Sequence, residues 1–243
     1  MHFLDLYRSQ TSGDARLRRT GTATFRTSPG DPRMFVRSCW KPTEEDLWKL
    51  VEANPWALLV NNGPEGPFAT NLPLILDRTR EKPVLVSHIA RANEHAQALR
   101  EAATPTLAIF HGPVSYVTAS WYPQRDMPST YYYTAVHCYG RVRIQDQPDL
   151  RASLEELTRG MESKYPAGWK TSEIPPQDIT RRLPAIMGFE LEVDRAEGKF
   201  KLGQDEPVKD ALAVGNKLAE SSDPAMLHLS ELVIRYNRGR TSI

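Results

Sequence analysis

Within Ser87-His88-Ile89-Ala90-Arg91-Ala92-Asn93 the chain carries a hydroxyl, an imidazole, a guanidinium and an amide. Residues 84–88 read as a strand and residues 93–103 as a helix rich in Ala and Leu, so Arg91 falls where strand hands over to helix. A helix start leaves backbone N–H groups without partners, and together with a guanidinium fork they suit phosphate oxygens. Pairing of Arg91 with a surface carboxylate is the competing reading. Upstream, Thr70 and Asn71 interrupt an apolar run just before Leu72-Pro73. Proline at that position predicts a bulge or a sheet edge, where a ligand can meet backbone.

Downstream, Trp121, Tyr122 and Tyr131-Tyr132-Tyr133 offer flat aromatic faces, and Gln204 offers a side chain that both donates and accepts. A phosphate pocket, an aromatic wall and an amide for a pyrimidine edge are what a flavin mononucleotide site requires. Other chemistries find less support. His88, His95, His111 and His137 share the central region, but none falls at a recognised metal-ligand spacing and no carboxylate joins them in such a motif. Neither a Gly-x-Ser-x-Gly elbow nor an activated Cys-His pair can be picked out, and no Gly-rich phosphate loop follows a strand. His111 and His137 keep haem ligation open as a third reading, without a haem signature.

The elements that must position these groups are legible in outline. Thr43 caps a helix whose first turn holds Glu44, Glu45 and Asp46 and whose apolar stripe is Leu47, Leu50 and Val51; Asn54-Pro55 ends it. A hairpin follows, with strands near 56–61 and 68–76 joined by Asn62-Gly63-Pro64-Glu65-Gly66. Residues 106–111 form the next strand, bent at Gly112-Pro113 before 114–119 continues it. After a loop over 120–129, residues 131–144 are β-rich and lead into a helix with Leu150, Leu154, Leu157 and Met161 at helical spacing, read as core. Residues 165–180, with Trp169 and Pro175-Pro176, form a loop long enough to be a lid. A strand over 186–193, the run Glu197-Gly198-Lys199-Phe200-Lys201-Leu202-Gly203-Gln204 and helices over 206–220 and 224–237 complete the chain, the last capped by Asp223 with Pro224 in its first turn. About six strands of mostly local pairing and about four or five peripheral helices fit an α+β antiparallel barrel rather than a doubly wound parallel sheet.

Length and charge set further bounds. At 243 residues, 40% hydrophobic and 25% charged, the chain can bury a large core in one domain, and no apolar run approaches the ~20 residues of a membrane span. Residues 1–33 hold six Arg and three Asp, a net +3, while the whole chain is +1; residues 34–243 are therefore −2, which gives no electrostatic footprint for nucleic acid. Those first 33 residues, rich in Ser, Thr, Gly and Arg, are expected to be a disordered extension, with Met34 as an alternative start and residues 34–243 as the folded domain. The N-terminus lacks a signal peptide's apolar core, and the two cysteines, Cys39 and Cys138, have no metal spacing between them. A cytoplasmic protein with no membrane partner is expected.

Five blocks then stand in one order: Pro67-Phe68-Ala69-Thr70-Asn71-Leu72-Pro73, His88-Ile89-Ala90-Arg91-Ala92-Asn93, Phe110-His111-Gly112-Pro113 through Ser120-Trp121-Tyr122, Tyr133-Thr134-Ala135-Val136-His137-Cys138-Tyr139-Gly140, and Gly188-Phe189-Glu190 with Glu197-Gly198-Lys199-Phe200-Lys201-Leu202. From about residue 34 to 233 the chain thereby resembles the FMN-binding split-barrel proteins related to PaiB, a family often labelled negative transcriptional regulators. The resemblance implies an FMN-binding split β-barrel, antiparallel and like pyridoxamine phosphate oxidase, with peripheral helices, assembled as a homodimer with FMN between the subunits. Carried over by motif, Thr70, Asn71, Leu72 and Pro73 with Ser87, His88, Ala90, Arg91 and Asn93 would line one wall and hold the phosphate. Trp121, Tyr131 and Gln204 would complete the site, some of them from the partner chain.

The chain departs from the family pattern in three places. Glu94 stands where the family usually has Pro, Thr130-Tyr131-Tyr132-Tyr133 replaces Thr-Trp-Asn-Tyr, and Leu202-Gly203-Gln204-Asp205 replaces Leu-Ser-Gln-Asn. A hydroxyl is lost and an acid gained beside the expected ring edge. The expected function is a flavin-dependent redox enzyme or redox-sensing module, an oxidoreductase without an assigned catalytic residue or substrate. The alternative is a negative transcriptional regulator binding DNA or a partner protein, against which the charge of residues 34–243 and the lack of a helix-turn-helix pattern argue.

Overall fold

The structure, a computed structural model, describes residues 34–102 and 105–240. The expectation for residues 1–33 lies outside the described residues. Trp56–Asn62 (β1) alternates exposed with buried positions, and Ala57, Leu59 and Asn61 are the buried ones, so the segment makes a strand with one inner face. It pairs antiparallel with Pro67–Pro73 (β2), from Trp56 opposite Pro73 to Asn62 opposite Pro67. The expected second hairpin strand then breaks. Leu74 is fully buried and donates its N–H to the Pro55 carbonyl at 2.8 Å, and Ile75–Asp77 (β3) pairs instead with Val84–Ala90 (β4).

Three long strands complete the sheet: Thr106–Val117 (β5), Thr130–Ile144 (β6) and Ile186–Lys201 (β7). The bend expected at Gly112-Pro113 is a register shift between His111 and Val114 within one strand, and β7 continues past residue 193 to Lys201 with a register shift of its own, Gly140 pairing with Val193 and Tyr139 with Arg195. Every pairing is antiparallel, in the order β2-β1-β5-β6-β7-β4-β3. β2 and β3 are therefore the two edges of the sheet, yet only Leu74 separates them along the chain. A sheet whose edges are covalently continuous must curl until they meet, so the seven strands close into a barrel. Leu59, Leu85, Phe110, Val136, Phe189 and Leu191 fill it and are inaccessible to solvent.

Among the described residues six α-helices surround the barrel: Glu44–Ala53 (α1), Glu94–Arg100 (α2), Gln147–Glu162 (α3), Pro176–Arg182 (α4), Val208–Ala219 (α5) and Pro224–Asn237 (α6). Thr43 caps α1 as its sequence predicts, its Oγ1 accepting the Asp46 N–H at 3.1 Å. Two readings change. The expected lid over 165–180 contains a 3-10 turn at Thr171–Glu173 and most of α4, whose first residue is Pro176. The α3 stripe is not core throughout, because only Leu150 is buried while Leu154, Leu157 and Met161 stay half-buried.

The α5–α6 hairpin is fastened to the end of β7. Gly203 has φ +82°, and a Cβ there would collide with the Tyr132 hydroxyl, so the turn needs glycine on both counts. Buried Glu206 accepts from the hydroxyls of Tyr132 and Tyr122, the latter at 3.3 Å, and Asn237 Nδ2 donates to the Leu202 carbonyl at 2.8 Å. Burial pushes the Glu206 carboxyl above the usual range, though both tyrosines oppose that shift.

Candidate functional site

The seam where the barrel closes brings two of the sequence blocks together. Ser87 is buried on β4 and donates its hydroxyl to the carbonyl of Pro73 at 2.7 Å, tying the end of β2 to the middle of β4. Asn71 is exposed, and Leu72 and Pro73 are half-buried. Thr70 turns to α2, its Oγ1 lying 2.7 Å from His95 Nδ1, while Phe68 stacks on the same imidazole with centroids 5.5 Å apart. His95 is fully buried and burial holds its pKa below the ordinary value.

Past the seam, Ala90 is exposed at the end of β4 and Arg91 follows it. Arg91 donates Nε to the Pro184 carbonyl at 3.0 Å and Nη2 to the Ile186 carbonyl at 2.9 Å. Both acceptors are neutral, and among the described residues Arg91 makes no ion pair. The reading that pairs it with a carboxylate is thereby set aside, since its guanidinium is held in direction and keeps its charge. The helix start offered as a donor set is already occupied in part: Asn93 Oδ1 accepts the His95 N–H at 3.0 Å, and Glu94 brings an acid to the first turn. Cationic character at this junction comes from Arg91 rather than from α2.

A second region lies on the outer face of β5, β6 and β7. Tyr131 on β6 is 56% exposed and meets the 52% exposed Tyr116 of β5 edge to face, centroids 5.5 Å apart, so two large rings stand in solvent where a core would bury them. Lys199 Nζ sits 5.0 Å from the Trp40 ring, 5.5 Å from Tyr133 and 5.7 Å from Phe35. Lys201 Nζ donates to Thr130 Oγ1. Asp205, the acid gained at the expected ring edge, accepts from Arg37 at 2.9 Å and from the Trp40 indole at 3.1 Å, so it serves the segment before α1.

The other candidates for this wall behave differently. Trp121 is half-buried against the core, and Gln204 is buried with both polar atoms engaged: Oε1 accepts the Leu202 N–H at 2.7 Å and Nε2 donates to the Phe200 carbonyl at 2.6 Å. Gln204 closes the turn after β7. Among the described residues no hydrogen bond or ring contact links Trp121, Tyr131 or Gln204 to the seam. Tyr116, Lys199 and Lys201 were not singled out individually in the sequence. Their signal is alternation along β5 and β7, which becomes readable only once register puts Tyr116 opposite Tyr131 and Lys201 opposite Tyr133.

Remaining chemistry-bearing groups are dispersed. His88 is half-buried in a groove shared with α3, and burial lowers its pKa. Burial, partly offset by Glu197, also lowers that of His137. Cys39 is exposed and Cys138 buried, both are free, and burial pushes the Cys138 thiol up to about 12. Among the described residues no three His, Cys, Asp or Glu side chains converge as a metal would require, and no helix is long and apolar enough to cross a membrane.

Comparison with known proteins bears on this geometry. The model of the family described as "Putative FMN-binding domain" matches residues 34–195. The Bacillus subtilis protease synthase and sporulation protein PAI 2 is 29% identical over 207 residues, covering 82% of this chain and 96% of that protein. An uncharacterized protein of Emericella nidulans is 30% identical over 199 residues, covering 65% of this chain and 79% of its own. Among solved structures, the FAD and haem binding protein of Mycobacterium smegmatis superposes with a TM-score of 0.51 at 18% identity, covering 66% of this chain and 72% of that one. The flavocytochrome Anf3 of Azotobacter vinelandii gives 0.52 at 16% identity, covering 66% and 68%. At such identities the two structures speak for the split-barrel fold.

Proposed function

The chain belongs to this FMN-binding family, and from that premise we propose that it is a cytoplasmic homodimer holding FMN between its subunits and acting as a redox enzyme or redox-sensing module. The observation that carries the reading is Arg91, oriented by two neutral carbonyls and making no ion pair among the described residues. A phosphate supplies the missing anion. Thr70 to Pro73 and Ser87 to Asn93 would form the wall beside it, with the Ser87 bond to Pro73 fixing the two strands relative to one another. The exposed rings of Tyr116 and Tyr131, with Lys199 and Lys201, fit the isoalloxazine end of the partner subunit's flavin, since a flat ring stacks on aromatic faces and cations favour its reduced, anionic form. The bound flavin supplies electron and hydride transfer; the residues named here bind it, orient it and keep water from its ring. Gln204 supports this wall through the turn without touching the ligand.

Three measurements test the proposal. Purified protein should be yellow or become so with added FMN, and mild denaturation should release FMN; a colourless protein that takes up none sinks the reading. Light scattering should give the mass of two chains, and a flavin-loaded monomer would dismiss the shared site. Tyr131→Ala should weaken flavin about tenfold with little change in unfolding midpoint, because the ring is already exposed.

A further inference from the structure

Helix α3 carries an apolar stripe that the barrel covers only in part, burying Leu150 alone. Leu154 and Leu157 stand half-buried across from Ile75, Leu76 and Val86 of β3 and β4, and the space between helix and strands is a cavity of about 530 Å³. That volume lies in the range of small-molecule sites. The cavity lies between a helix stripe and a sheet face that both contribute apolar side chains, an arrangement that can take a flat ring against either wall. Ser87 and His88 lie on its border, so the cavity opens beside the wall assigned above to the cofactor.

Charge in the lining cancels. The lining holds two cations, Arg78 and Arg80, and two acids, Asp77 and Glu156; Arg80 is tied to Asp77 and to both oxygens of Glu190 at 2.8 and 3.1 Å, and Arg78 to Glu52. A charged ligand would find no net counter-charge, whereas an uncharged one gives up little hydration on entry. Uncharged polar groups also line it, the His88 imidazole on β4 and the Ser153 hydroxyl on α3, which accepts from Gln145 Nε2 at 2.6 Å and keeps its proton to donate, and these suit carbonyl oxygens on an otherwise apolar ring.

We propose that the cavity between α3 and strands β3 and β4 is a binding site for an uncharged, planar, carbonyl-bearing aromatic molecule of the quinone class. Its capacity to hold such a ligand stands on the cavity alone; its role as the seat of the flavin's reaction partner rests on the reading of the preceding subsection. The test titrates flavin-loaded protein with 2-methyl-1,4-naphthoquinone, following binding by ligand-observed NMR and flavin content by absorbance. Leu154→Arg and Leu157→Arg each put a charge into the apolar wall from a half-exposed helix position, and circular dichroism checks that both fold. Native protein should bind the quinone, and each variant should lose at least about tenfold in affinity while keeping its flavin. His88→Phe should lose a smaller factor. Absence of binding by flavin-loaded native protein overturns the proposal, as do unchanged affinities in both arginine variants. Loss of flavin together with quinone in those variants also overturns it, because the cavity would then be the flavin's own. Quinone binding that the variants abolish, in a protein that takes up no flavin, upholds the cavity while removing the flavin reading.

Discussion

Arg80 and Arg91 flank β4, one before Val84 and one after Ala90, and the protein holds them in opposite ways. Arg80 gives Nη1 and Nη2 to the two oxygens of Glu190 and Nε to Asp77 at 3.0 Å. Arg91 makes bonds of similar length to the carbonyls of Pro184 and Ile186. Both guanidiniums are fixed in direction; only the first is neutralised. A cation oriented by neutral acceptors keeps its charge for an outside anion and has already lost much of the rotamer freedom that binding would otherwise remove. Bond geometry therefore does not separate framework from site. The charge of the partner does.

Gln204 extends the comparison to an uncharged group and should give the largest effect. Both its polar atoms are bound to backbone, which places it with Arg80 on the framework side. Gln204→Ala leaves a buried N–H and a buried carbonyl unpaired and should cost about 3 kcal/mol of stability in denaturant unfolding. Flavin affinity, measured where the variant is folded, should stay within about threefold. Lost affinity with unchanged stability would move Gln204 to the site and blur the distinction.

The two arginines should then exchange phenotypes. Arg91→Ala is expected to weaken flavin by about 2 kcal/mol, roughly 30-fold, with the unfolding midpoint almost unmoved. Arg80→Ala should leave flavin affinity alone and cost about 1 kcal/mol of stability, a modest figure because the side chain is 46% exposed. Arg91→Lys keeps the charge but not the two-carbonyl fork and should recover only part of the loss. Equal effects of the two alanine variants on flavin would mean that neutralisation is not what distinguishes them.

How much of this was legible beforehand follows from the range of each interaction. Local signals read true: the Thr43 cap, the Asp223 cap with Pro224 and the disruption at Pro73 all depend on neighbours within a few residues. Barrel closure was not local. Residues 68–76 read as a single hairpin strand, and nothing in them says that β2 and β3 take different partners until Leu74 is seen bonded to Pro55. Arg91 was visible as a cation at a strand end, but its acceptors lie 93 and 95 residues away, so its orientation could not be read. The α3 stripe failed as a core signal because periodicity reports which face is apolar, not whether anything covers it. Gln204 looked like a ligand group because an amide that closes its own turn has the same sequence signature as one that awaits a partner.

Glu190→Gln breaks the comparison from the other side, and its effect is the smallest and most dependent on pH. Burial alone would raise the Glu190 carboxyl, but bonds from Arg80, Arg143 and Gln145 outweigh it and hold the pKa below the usual range. A carboxyl with a depressed folded-state pKa stabilises the native state fully above its unfolded value of about 4.3, and the stabilisation is lost as pH falls through the lower folded value. Native protein should therefore exceed the variant by about 1 kcal/mol at neutral pH, discounted because Arg80 and Arg143 are 46% and 56% exposed, and the gap should close in acid below about pH 4. The variant also leaves two guanidiniums oriented but less neutralised, the condition found naturally at Arg91. Added sulfate should consequently raise the melting temperature of the variant more than that of the native protein, by an amount that shrinks when Arg143→Gln is added. If sulfate stabilises both proteins alike, and the gap persists unchanged into acid, then Glu190 acts through packing, and charge compensation is not what sets Arg80 apart from Arg91.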